Sequence, residues 1–182
     1  MIRKFISIMI SAVVVFSFSG CESDGRVHDK NYLRAVSVSG NAEKSVTFVF
    51  FTKDGKYLTV SAENLEKALS LAEIKTGRKI FTGYTELILT DGENTAETLE
   101  FMLHKWKVSP SCIVALAGES AENIFSENTV EKISGSVKMA VNQGKSPECD
   151  IITVLAELLD DGRTAQTAEI TAEGFKAVRT IN

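Results

Sequence analysis

Between positions 32 and 60 the chain is a series of short runs rich in β-branched and aromatic residues, separated by turn signals. Residues 32–39 close on Gly40-Asn41, residues 45–51 close on Lys53-Asp54-Gly55-Lys56, and 57–60 follow. This pattern predicts three strands. The period then changes: Leu65, Ala68, Leu69 and Ala72 recur at helical spacing, and Gly77 supplies a stop. Residues 86–90 read as a short apolar strand ending at Asp91-Gly92. A second helix is expected from Asn94, with Glu97 in capping-box spacing and a stripe of Leu99, Met102, Leu103 and Trp106. Leu69 and Leu103 lie mid-stripe and are expected to be buried. Pro110 precedes a buried strand over 112–117. Helices are expected at 120–126, 129–143 and 148–160, the last opened by Ser146 as cap and Pro147 in the first turn. A hairpin around Gly174 closes the chain. Strands and helices alternate without a uniform βαβ rhythm, so the expected class is α+β, a mixed sheet packed with several helices in a single domain.

The first residues follow another pattern. Arg3 and Lys4 precede an uncharged apolar run over 5–18, too short for a comfortable membrane span and suited to a signal-peptide core. The run ends in Phe18-Ser19-Gly20-Cys21, which resembles the lipobox of bacterial lipoproteins. That resemblance implies a diacylglycerol on the Cys21 thiol and cleavage before it. The division that follows is a signal peptide over 1–20, a polar lipidated tether over 21–31 and a domain over 32–182, held on the extracytoplasmic side of a membrane. The alternative is an uncleaved anchor with an incidental cysteine. Each buried methylene of a lipid contributes roughly 0.8 kcal/mol, so two acyl chains hold firmly to the lipid bilayer.

Composition narrows the chemistry. A hydrophobic share of 44% with 24% charged residues is that of a globular core. The formal charge of −4 comes from interleaved acids and bases, with no basic stripe to read phosphates, so nucleic acid is not an expected partner. Two histidines and three cysteines leave little for a metal site, and no metal or cofactor is expected. No zinc-protease, nucleophile-elbow, P-loop or dinucleotide motif occurs, which argues against an enzyme. His104 stands beside Lys105 on a solvated helix face. Glu148 and Asp150 suit a helix N-terminus, and Asp160-Asp161 a helix-ending turn. Cys112 and Cys149 are read as buried or incidental thiols rather than a disulfide, although an oxidising compartment would permit one. Trp106 and the phenylalanines at 48, 50, 51, 101 and 125 are read as core.

One stretch carries more. A lipobox, an early strand pair and a helix ending in Thr76-Gly-Arg-Lys-Ile-Phe-Thr-Gly-Tyr84 lead into Glu86-Leu-Ile-Leu. Leu99-Glu-Phe-Met-Leu103, Gly118-Glu-Ser-Ala121 with Ile124-Phe125, and Ile170-Thr-Ala-Glu-Gly174-Phe-Lys-Ala-Val178 follow in order. The series resembles the N-terminal domain of the Ger(x)C spore germination lipoproteins, the C subunits of nutrient germinant receptors. Tyr84 stands where that family usually has His, and His104-Lys105 where Arg-Asp is common. Family members are longer, with further domains, and the resemblance covers the first. It implies assembly with integral-membrane receptor subunits at the spore inner membrane, and a scaffolding or signal-coupling role in germination. It also makes Arg78, Lys79 and Tyr84 docking candidates. A simpler reading of the same segment has Gly77 ending the helix at positive φ, with Arg78 and Lys79 complementing its C-terminal dipole. The rival classes are a small solute-binding lipoprotein, which a closed polar pocket would favour, and a secreted hydrolase, which clustered perturbed carboxylates would favour. An exposed apolar patch favours the receptor component.

Overall fold

The computed structural model describes residues 30–51, 57–160 and 163–182; the leader, Cys21, tether residues up to 29, the 53–56 turn and Asp161 lie outside them. Strands β1 (Lys30–Ser39), β2 (Lys44–Phe50) and β3 (Tyr57–Ala62) are the three expected strands and form an antiparallel meander, with Val36 opposite Phe48 and Phe48 opposite Leu58. Helix α1 (Leu65–Thr76) starts where the Asn64 side chain accepts the Lys67 N–H at 2.9 Å. It stops at Gly77, whose φ of 67° is open to glycine at no Cβ cost. Strand β4 (Lys79–Phe81), three residues the periodicity does not announce, pairs parallel with the first residues of β1.

Strands β5 (Leu87–Thr90), β6 (Ile113–Ala117) and β7 (Ala165–Thr171) join β1 in parallel, and β8 (Gly174–Ile181) closes the edge antiparallel to β7. The result is an eight-stranded mixed sheet in the order β3-β2-β1-β5-β6-β7-β8, with β4 beside β1. The class is α+β, as the element pattern predicted. The connections supply α2 (Thr95–Phe101), a π-helical turn (Met102–Trp106), α3 (Ala121–Glu127), α4 (Val130–Asn142) and α5 (Ile151–Leu159).

Alternation along the strands sorts the core into two layers. Ile88 and Val114 pack with Leu65, Leu99, Trp106 and Val154 from α1, α2, the π turn and α5. Leu87, Leu89 and Ala115 point the other way, onto Ile124, Ile133 and Val137 of α3 and α4. All four residues of β5 are buried, the continuous apolar run that a parallel strand covered on both faces requires. On β7 the nearly buried Glu169 accepts Lys176 at 3.0 Å and Arg179 at 2.7 Å, which hold its carboxyl below the ordinary range.

Several expectations are corrected. Asn94 does not build a capping box: it sits at φ 48° without a side-chain cap, and its amide donates to Asn41 Oδ1 at 2.6 Å. Asp150, not Ser146, caps α5, accepting the N–H groups of Ile152 and Thr153 at 3.0 and 3.1 Å. Burial pushes the Asp150 carboxyl up, but these bonds and the Thr153 hydroxyl carry it below its usual value. Pro147 therefore stays outside the helix, where its carbonyl accepts the Cys149 thiol. Leu69 and Leu103 are half-buried at the margin of the first core layer, one position off the centre of their stripes. Phe51, read as core, is exposed, because it lies just beyond the end of β2. Cys112 and Cys149 are free thiols buried in opposite layers of the core.

Candidate functional site

An open groove of about 700 Å³ lies at the N-terminal ends of β5 and β6. It is positioned by pairing. Ala35 of β1 lies opposite Leu87 of β5, so the residues just before them, Arg34 and Glu86, stand side by side at the groove floor. Backbone bonds lock this row: the Glu86 N–H donates to the Arg34 carbonyl at 2.8 Å, and the Ile113 N–H donates to the Glu86 carbonyl at 3.0 Å.

Arg34 is the electrostatic centre. Its Nε donates to Glu86 Oε2 at 3.2 Å, and its Nη1 donates to Glu131 Oε1 at the start of α4. Its guanidinium carbon lies 4.7 Å from the centre of the Phe51 ring. One side chain thereby ties β1, the approach to β5, α4 and the end of β2. The backbone N–H of Glu131 and the Arg34 guanidinium hold the Glu131 carboxyl below the ordinary range. Thr85, Ser109, Ser111, Ser134 and Lys138 complete a lining that is about evenly polar and apolar. The arrangement can brace an edge, since the charges of Arg34, Glu86 and Glu131 are spent on one another.

An aromatic corner borders this groove. Tyr32, Phe81 and Tyr84 pack mutually with ring centres 5.1–5.8 Å apart. Tyr84 also lines the groove and is 61% exposed. The turn that carries it is pinned from below, since Thr82 Oγ1 donates to the Trp106 carbonyl and Thr85 Oγ1 donates to the Thr82 carbonyl at 2.7 Å. An added Cβ at Gly83 would stand 2.9 Å from the Phe81 ring, which would have to shift.

The three docking candidates are thus separated. Tyr84 belongs to the aromatic corner. Lys79, at the other end of β4, donates to Glu73 at 2.7 Å, a pairing that raises its pKa, while the second Glu73 oxygen accepts the Ile80 N–H at 3.0 Å. Arg78 is exposed just after Gly77, at the end of α1. The sequence did not single out Arg34, Phe51 or Tyr32. A charged residue between the apolar Leu33 and Ala35 in mid-strand was the available sign of Arg34, whose partners lie 52 and 97 residues away.

Residues 31–172 match the family model described as the spore germination protein N-terminal domain, and the chain belongs to that family. Its role is accordingly in germination, of the Ger(x)C type, and the family carries an association with the spore membrane. No curated protein and no solved structure matches the chain. Among the described residues, no helix is long and apolar enough to cross a membrane.

Proposed function

We propose that this protein is a lipid-anchored, non-enzymatic component of a nutrient germinant receptor that scaffolds, or couples signals to, integral-membrane subunits. The family match across residues 31–172 carries the reading. The lipobox ending at Cys21 adds a means of attachment that needs no spanning helix in the domain. A candidate assembly surface lies on the outer face of α1, where Leu71 and Ile74 are 38% and 76% exposed one turn apart and Arg78 follows. Exposed apolar side chains next to an arginine are the composition of a protein contact. A solute-binding role has less support, because Arg34, the groove's central cation, is already engaged by two carboxylates.

Two experiments test the proposal. Cys21→Ser should shift the protein from the membrane fraction to the soluble one; quantitative retention through a salt wash overturns the anchor. Arg78→Ala should leave thermal unfolding unchanged while lowering co-purification with the membrane subunits. Normal assembly of a folded Arg78→Ala chain removes that surface from the reading.

A further inference from the structure

Among the described residues, the aromatic side chains that stand well exposed gather at one edge of the sheet. Phe51 (45%) follows β2, Tyr57 (39%) opens β3, Phe81 (39%) ends β4 and Tyr84 comes three residues later. Strand direction brings them together. β1, β3, β5 and β6 all start at this edge and β2 finishes there. The Phe51 N–H donates to the Tyr32 carbonyl at 2.9 Å, and Tyr32 lies opposite Phe81 on β4. Lysines flank the row: Lys30 and Lys79 are register partners, and Lys107 follows the Trp106 carbonyl that pins the aromatic turn.

The other end of the same strands has a different character. There Gly40 donates to Asp91 at 2.7 Å and Asn94 donates to Asn41 at 2.6 Å, with Glu93 beside them. One edge carries the exposed aromatic rings, with lysines and the Glu73, Glu86 and Glu131 carboxylates beside them; the other has no exposed aromatic ring among the described residues and is acidic and amide-rich.

The chain enters the domain at the aromatic edge. β1 begins at Lys30, and Cys21 precedes it by about nine residues, a reach of no more than ~30 Å even when fully extended. Any acyl chains on Cys21 therefore hold this edge within that distance of the lipid. Tyrosine and phenylalanine rings, with lysine stems beside them, are the side chains that settle at the boundary between headgroups and hydrocarbon.

We propose that the aromatic edge is a membrane seat: Phe81 and Tyr84 rest at the headgroup level of the bilayer that holds the lipid anchor, with the exposed Lys107 toward anionic headgroups. The proposal rests on the anchored reading above and adds an orientation to it. The Asn41–Asp91–Glu93 edge then points away from the membrane.

The test uses the full, acylated chain in vesicles of phosphatidylcholine and phosphatidylglycerol. Tyr84→Cys and, separately, Glu93→Cys are labelled with an environment-sensitive fluorophore; Cys112 and Cys149 are buried and escape labelling. The expected result is a blue-shifted emission at position 84 that shallow nitroxide lipids quench, with neither effect at position 93. Co-flotation with the vesicles is read in parallel. Matching, unquenched emission at both positions in protein that floats overturns the seat and leaves the anchor standing. A shift at position 84 that appears only when membrane subunits are co-reconstituted assigns the edge to a protein contact and also overturns the seat. Protein that fails to float overturns the anchored reading, and the seat with it.

Discussion

Replacing Arg34 by methionine removes the guanidinium but keeps an unbranched stem of similar reach, so the loss isolates charge from packing. The two carboxylates it leaves behind are well solvated, with Glu86 and Glu131 side chains 42% and 60% exposed, so neither becomes a buried unpaired charge. Ion pairs to exposed acids contribute about 0.2–1 kcal/mol each. The cation–π contact with Phe51 adds roughly 0.5–1 kcal/mol at a site this accessible. Together these place the cost of Arg34→Met near 2 kcal/mol at neutral pH, equivalent to a fall in Tm of about 4–8 °C in a chain of this size. The pH dependence has a definite sign. The folded pKa of Glu131 is depressed, so its contribution is complete above the unfolded value of about 4.3 and is lost as pH falls through the lower folded value. Thermal unfolding by circular dichroism should therefore show a gap between the native chain and Arg34→Met at pH 7 that narrows on acidification toward roughly pH 3. Equal melting temperatures at pH 7 would refute the brace; a gap unchanged at low pH would refute its ionic origin.

Gly77→Ala should cost roughly 1 kcal/mol by urea unfolding, all of it backbone strain, because φ is 67° and nothing lies within 4 Å of the added Cβ. Leu99→Ala, at a fully buried site, should cost about 2–5 kcal/mol, whereas the half-buried Leu69→Ala should cost about 1–2 kcal/mol; equal losses would show the helix faces to be misassigned. Glu169→Gln should lower the melting temperature at neutral pH, since it removes the negative charge shared by Lys176 and Arg179 and turns one of the two acceptor oxygens into a donor. That deficit should shrink below the ordinary glutamate range, because a depressed folded pKa gives stability that acid removes.

Elements with a strong local signature were legible from the residues alone. The first three strands followed from β-branched runs between turn residues, and α1 from its apolar period and Gly77. Signals that depend on distant partners were not. The three residues of β4 have no period of their own and are strand only because β1 lies alongside. Asn94 carries the residue type of a cap but is drawn to Asn41, 53 residues away. Ser146-Pro147 looks like a helix opening, yet the helix begins where Asp150 can reach two N–H groups. In the candidate site, Tyr84 was reached through the family resemblance. Phe51 was misread because hydrophobicity does not tell a strand's last buried residue from the first one past its end.

The sheet's order has a consequence for how the domain assembles in time. β1 meets β2, and β7 meets β8, across short turns, with Ser39 opposite Ser45 and Thr171 opposite Gly174. The parallel joins of β1 to β5 and β6 to β7 instead close about 50 residues each, roughly three doublings of loop length and near 2 kcal/mol of extra closure entropy. The hairpins at the two flanks are therefore the early structures, and the parallel seam that joins β1 to β5 and β6 to β7 is the last to zip. Side chains in that seam govern the unfolding rate more than the folding rate, so the lifetime of the native state is set at the middle of the sheet.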